Sequence, residues 1–239
     1  MDLSNLKRET RYGVPAADQI LFNRHYVLGY SYYFRQAKWA LEIIDPSQEV
    51  SRKDHFRSDY RIPERFRADK EVYEHSGLDR GHLVASLNQS DSEIQNSETF
   101  LLSNMCPQIP SFNSGVWKRL ETAIRTLDSD KKVLETYVIS GPIFFFDQEV
   151  KMMGDDVKGI DVTLPIPHAF YKSVLTERNT GTINIWSFII PNATSDLPLE
   201  DYRVETSKLE KIAGLTFWEA LKGSKMKGKK DRIRKMWRF

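Results

Sequence analysis

One helical stripe stands among β-rich runs, and that imbalance limits the folds open to this chain of 239 residues. Trp117, Leu120, Ile124 and Leu127 recur at spacings of 3, 4 and 3, which predicts a helix from about Asn113. Pro107 and Pro110 fall before the stripe, where they do not interrupt it. Three strand candidates follow: VLETYVISG (133–141), HAFYKSVLT (168–176) and TINIWSFII (182–190). Earlier, YVLGYSYYF (26–34) and AKWALEII (37–44) read as a hairpin or two successive strands, and TFLLSN (99–104) as another. Ser90-Asp91-Ser92-Glu93 offers caps for a short helix to about Ser97, and Ser207 to Ala213 reads as a helix ending at Gly214. Locally paired strands with inserted helices predict an α+β fold around a mixed or mostly antiparallel central sheet flanked by helices. Residues 46–76 are polar, carry Pro46 and Pro63, and read as a long surface loop.

No linker or repeat divides the chain, which predicts one domain over residues 1–223 followed by a basic tail, 224–239. That tail holds eight lysines and arginines against Asp231 alone, a charge of +7. Subtracting it from the net +2 leaves −5 on residues 1–223. A solvated run of cations attracts nucleic acid or an acidic partner, although it also serves simply as a solubilising end. Cys106 is the single cysteine, so an internal disulfide is ruled out. No apolar run approaches the roughly 20 residues of a membrane span, and MDLSNLKRETRYGVP has no apolar signal core. The expectation is a cytoplasmic protein without membrane contact, with secretion from a trimmed precursor left open. Dinucleotide-binding, P-loop and Gly-x-Ser-x-Gly signatures are all missing, which argues against a conventional metabolic enzyme.

The segment GLDRGHLVAS (77–86) sets Asp79, Arg80, Gly81 and His82 between apolar residues, as if at the end of a buried strand. Burying such groups is costly unless they are paired or have a task. His82, Asn113 and Glu121 lie within about 40 residues of one another. Asn113 and Glu121 are eight positions apart, a little over two helical turns, and can share a side. Imidazole exchanges protons near neutral pH, and amide and carboxylate oxygens are hard donors that suit Mg²⁺. Arg80 and Arg52 can hold phosphate through paired donors. A base, a hard-metal site and a phosphate clamp together suit phosphodiester hydrolysis. Each residue also has a structural reading. Asn113 can cap the helix, Glu121 can sit on a solvated face, and Asp79 can pair with Arg80. Spacing alone leaves both readings open.

The wording of these segments carries more than their spacing. LDRGHLVAS followed by TFLLSNMCPQIPSFNSGVWKRLE (99–121) resembles the DNA/RNA non-specific endonuclease family, the sugar-nonspecific, endonuclease G-like enzymes with a ββα-metal (His-Me finger) site. The shared pattern is DRGH, then TF-x-x-SN-x-x-PQ, then N-x-x-x-W-x-x-LE. RKDHFRSDYRIP, YVISGPIF, PIPHAFYKSVL and EKIAGLTFW are similar in kind, so the resemblance spans about Tyr12 to Leu221 and leaves the tail outside.

The resemblance implies a metal-dependent endonuclease acting on DNA and RNA without sequence preference. By it, His82 is the general base, Asn113 the direct ligand of one Mg²⁺, and Glu121 holds the ion through water. Mn²⁺ is expected to substitute. Arg80 and Arg52 contact phosphate or the ion's waters, with Arg57 a rival to Arg52. Asp79 orients its neighbours, and Gly81 lets the backbone come close. Two alternatives remain: a nuclease effector controlled by a partner or inhibitor, and a catalytically dead nucleic-acid-binding domain. Family members occur as monomers and as homodimers, and the expected partners are DNA, RNA and a protein inhibitor or activator.

Overall fold

The β-rich runs become strands of one seven-stranded sheet with the order β1-β2-β3-β6-β9-β10-β11, every neighbouring pair antiparallel. This computed structural model describes residues 6–44, 50, 54–154 and 162–238. A first hairpin run holds β1 (Gln19–Phe22), β2 (Tyr26–Ser31) and β3 (Gln36–Ile44). Next come β4 (Asp79–His82), α1 (Glu93–Glu98) and β5 (Met105–Gln108). A helix then starts at α2 (Pro110–Phe112), passes through a π turn (Asn113–Trp117) and continues as α3 (Lys118–Asp128). The rest comprises β6 (Val133–Ile143), the short β7 (Met152–Met153) and β8 (Leu164–Pro165), β9 (Ala169–Arg178), β10 (Ile183–Pro191), β11 (Arg203–Val204), α4 (Thr206–Ala213) and α5 (Ser224–Lys230).

Both faces of the sheet are covered. Against one lie the π turn and α3, whose Trp117, Leu120, Ile124 and Leu127 meet Val138, Phe170, Val174 and Phe188. Burying each such side chain is worth about 1.5–3 kcal/mol, well above helix-propensity differences of under ~1 kcal/mol per residue. Against the other lie α4 and the segment 215–218, with Leu209, Phe217 and Trp218 meeting Trp39, Tyr137 and Tyr171. Successive residues of β9 therefore enter two different cores rather than alternating between core and water. Three polar residues, Glu42, Ser140 and Lys172, sit on the α3 face of three central strands, with Ser140 opposite Lys172 in the register.

Two local expectations are corrected. TFLLSN does not form a strand: Leu101 makes one isolated bridge to Arg57, and Leu102–Asn104 is a 3-10 turn. The cause is Asn104, whose side chain bonds Val84 N–H, Val84 C=O and Thr99 C=O and folds the segment onto the exit of β4. The strand comes next, as MCPQ, and it tolerates Pro107 because the ribbon it forms has two strands only. The helix also begins before Asn113, with Pro110 in its first turn, where the missing N–H costs nothing.

Candidate active site

Strands β4 and β5 form a two-stranded antiparallel ribbon, with Asp79 opposite Gln108, Arg80 opposite Pro107, Gly81 opposite Cys106 and His82 opposite Met105. DRGH is thus the whole of a short strand, and the apolar Leu83 and Val84 follow it into the core. Two bonds fasten the helix to this ribbon. Asn113 donates its Nδ2 to Asp79 Oδ2 at 2.8 Å, and Trp117 donates its Nε1 to the carbonyl of His82 at 3.1 Å. Asn113 has helical dihedrals and lies inside the helix, so it is not the cap. Its amide is oriented by Asp79, and no bond among the described residues occupies its Oδ1. Asn192 braces the junction, accepting from Ile109 N–H and donating to the carbonyls of Pro107 and Pro167.

Aromatic rings fix the other two polar groups of the strand. The His82 ring meets Phe100 edge-on at 5.1 Å and Phe56 at 6.0 Å. The Arg80 guanidinium lies over the Phe56 ring at 4.3 Å, a cation–π contact, so Arg80 does not rely on Asp79 for its position. Phe56 thereby aligns the arginine and the histidine. It lies within the loop segment RKDHFRSDYRIP, and its phenyl ring offered no sign of this task in the sequence.

Gln108 is a further site residue that residue chemistry alone did not single out. It is fully buried, and neither its Oε1 nor its Nε2 has a hydrogen-bond partner among the described residues. Its side chain lies across Gly81, where an added Cβ would come within 2.0 Å of it. Gly81 is therefore a cradle for Gln108, which gives a close-approach glycine a physical reason. Such a buried amide costs on the order of 1–3 kcal/mol. The motif pairing PQ with DRGH was the signal that could have found it. Cys106, behind Gly81, is free and fully buried, and burial pushes its thiol far up, which makes it inert.

Glu121 is not on a solvated face. Its carboxylate, 13% exposed, lies 3.9 Å from Lys172 Nζ, itself 1% exposed. Lys172 also donates to Ser140 Oγ at 2.8 Å and the carbonyl of Leu83 at 3.3 Å, and sits over the Trp117 ring at 4.1 Å. One lysine thus ties sheet, helix and the exit of β4 together. Burial raises the Glu121 carboxyl, partly offset by Lys172, then Arg125 and Lys118. Burial lowers the Lys172 ammonium, opposed by Glu121 and Glu42.

Other expected participants stand elsewhere. Arg57 donates to the carbonyls of His55 and Ser97 and lines a cleft with Arg24 and Glu93, so it is not brought to the ribbon. Arg52 lies outside the described residues. His55 and His75 are exposed. Among the described residues no cluster of three or more His, Cys, Asp or Glu could cage a metal. The donors at hand, Asn113 Oδ1 and the Glu121 carboxylate, are hard and few, which fits an ion that keeps most of its own water.

Two strands, a histidine on the first, and a helix presenting an asparagine back to them define the ββα-metal class of nucleases. A profile of the DNA/RNA non-specific endonuclease family matches residues 7–224. Human mitochondrial endonuclease G is 32% identical over 217 residues, covering 87% of this chain and 72% of that protein. A nuclease of Syncephalastrum racemosum is 33% identical over 232 residues, covering 88% and 70%. A crystal structure of EndoG in complex with EndoGI superposes with a TM-score of 0.82 at 29% identity, covering 91% of this chain and 92% of that one. The chain belongs to the DNA/RNA non-specific endonuclease family: it is an endonuclease, a hydrolase acting on nucleic acid, in a family of metal-dependent enzymes. Among the described residues no helix is long and apolar enough to cross a membrane.

Proposed function

We propose that residues 1–223 act as one nuclease domain in which His82 is the general base, Arg80 and Arg52 bind phosphate, and Asn113 and Glu121 serve a single Mg²⁺. The observation that carries this reading is the Asn113–Asp79 bond. Asp79 takes up the amide's donor side and turns Oδ1 outward as a hard-oxygen donor. Mg²⁺, for which Mn²⁺ would substitute, supplies neutralisation of the negative charge that grows on the phosphodiester. His82, held by Phe100 and Phe56, accepts a proton from the attacking water. Arg80 sits on the same face of β4 and clamps a phosphate oxygen through paired N–H donors. Lys172 beside it favours the charged form of Glu121, which would hold the ion through water. Arg57, whose Nη1 donates to two carbonyls away from the ribbon, remains a rival to Arg52 for phosphate binding.

Contacts to phosphate carry no base information, which accounts for cleavage without sequence preference. A protein inhibitor is a second partner class, supported by the likeness to an EndoG held by EndoGI. The test is purified chain incubated with supercoiled plasmid and with structured RNA, in Mg²⁺, in Mn²⁺, in EDTA, and as His82→Ala. Cleavage of both substrates is expected, abolished by EDTA and reduced about 10²–10⁴-fold or more in the variant. Near-normal cleavage by His82→Ala would overturn the assignment of the base.

A further inference from the structure

The basic C-terminal segment is not a free end. It leaves α4 on one side of the sheet, rounds the β10–β11 edge, and comes to rest on α3 on the other side. Met226 packs with the α4 core, while Met236 and Trp237 pack with the α3 core. Along the way Lys230 pairs with Glu210 at 2.8 Å, Arg203 donates to the carbonyl of Arg234 at 2.8 Å, and Trp186 donates to the carbonyl of Lys235 at 2.9 Å. Finally Trp237 Nε1 donates to the carbonyl of Ala123 at 2.8 Å, its ring edge-on to Trp186 at 5.1 Å. Ala123 lies two residues beyond Glu121 on the same helix.

The anchoring uses backbone carbonyls and aromatic rings, and leaves the cations over. Lys225, Lys227, Arg232, Arg234, Lys235 and Arg238 are all exposed. Among the described residues, Lys230 is the one cation of the segment that forms an ion pair with a carboxylate. A solubilising end needs no fixed course, and holding like charges in place is unfavourable unless an anion joins them. Residues 1–223 carry −5, so by net charge they repel a polyanion, and the segment supplies the compensating +7. The family match ends at residue 224, so nearly all of this segment lies outside the matched region.

We propose that residues 224–238 form a phosphate-binding strap that takes the sugar–phosphate backbone of the nucleic-acid substrate beside the cleavage site. The proposal rests on the nuclease reading for its ligand, but its test does not need catalysis. A labelled DNA duplex is titrated in EDTA at stepped NaCl concentrations with wild type and with Lys225→Gln, Lys227→Gln, Lys235→Gln and Arg238→Gln combined. Each phosphate contact contributes about 0.9 to the slope of log affinity against log salt. The combined variant is expected to lose about two or more of that slope and about tenfold or more in affinity at low salt. Its turnover at saturating substrate and Mg²⁺ is expected to match wild type. Unchanged affinity and slope overturn the strap while wild-type cleavage leaves the nuclease reading standing. Loss of binding to poly-glutamate but not to the duplex also overturns it, in favour of an acidic protein. Wild type that binds the duplex through these residues without cutting it supports the strap and sinks the nuclease reading.

Discussion

Two buried polar clusters flank α3, and they differ in what their side chains leave over. In the first, Glu42 accepts from Asn88 at 3.0 Å and Gln89 at 3.1 Å. Gln89 accepts from Gln95, Asn88 accepts from Arg125, and Asn96 donates to the carbonyls of Ser86 and Gln89. The amides and the carboxylate close on one another. In the second, around β4 and β5, Gln108 has both amide atoms unmatched and Asn113 has its Oδ1 unmatched among the described residues. A closed network rigidifies a fold, whereas a buried polar group left open costs stability and waits for a ligand. The contrast separates scaffold from site more sharply than residue type does, since both clusters are made of Asn, Gln and carboxylates.

If that contrast is sound, substitutions in the two clusters should fail in opposite ways. The largest effect belongs to the open one. Asn113→Ala is expected to lower cleavage ~10²-fold or more, the scale of removing one electrostatic contact to a reacting phosphate, while Tm moves by less than about 3 °C. A comparable loss of Tm would place Asn113 in the scaffold. Next, Glu42→Ala strands two buried amide donors and is expected to cost about 3 kcal/mol, or ~6–12 °C in Tm for a chain of this size. Turnover of the folded variant should stay within about threefold of wild type. A stable but inactive Glu42→Ala would erase the distinction.

A smaller effect should appear in the pH dependence of stability. Burial pushes the Glu42 carboxyl up to about 7, with Lys172, Gln89 and Asn88 opposing the shift. A glutamate in an unfolded chain titrates near ~4.3, so folding favours the protonated form. Its contribution is complete below that value and is lost as pH rises through about 7. The Tm of wild type relative to Glu42→Gln should therefore fall between about pH 4 and 7, by the equivalent of about 1–3 kcal/mol. A flat difference would show that Glu42 remains ionised throughout. The smallest change is the most discriminating: Gln108→Leu should raise stability by up to ~1 kcal/mol by removing an unmatched buried amide, yet reduce cleavage about tenfold or more. A destabilised and fully active variant would move Gln108 into the closed class.

Much of this was legible in the sequence. The strand candidates at 133–141, 168–176 and 182–190 form β6, β9 and β10, and the stripe from Trp117 to Leu127 forms the end of the π turn and α3. Short-range periodicity failed where single side chains redirect the backbone, as Asn104 does in TFLLSN. At the site, the residues with conspicuous chemistry could be named in advance, and the structure brings Asp79, His82 and Asn113 to one ribbon–helix junction. Lys172 escaped because a polar residue in an alternating strand reads as solvent-facing. Here the second face of the sheet is also a core, and the lysine is 1% exposed. Phe56 escaped because its work is done by its ring face. Trp237 escaped because the surrounding cations marked the segment as a tail.

The π turn at Asn113–Trp117 sets the phase of everything that follows it on the helix. In an unbroken α-helix eight residues advance about 800°, which would leave Glu121 roughly 80° out of line with Asn113. The turn interrupts that count: Gly115 leaves helical dihedrals (φ −96°, ψ −110°), so Asn113 and Glu121 belong to two helical pieces joined at a kink. Asn113 can meet the ribbon while Glu121 still faces Lys172 and the sheet. The break at Gly115 between these two residues is therefore as much a determinant of the site as their identities.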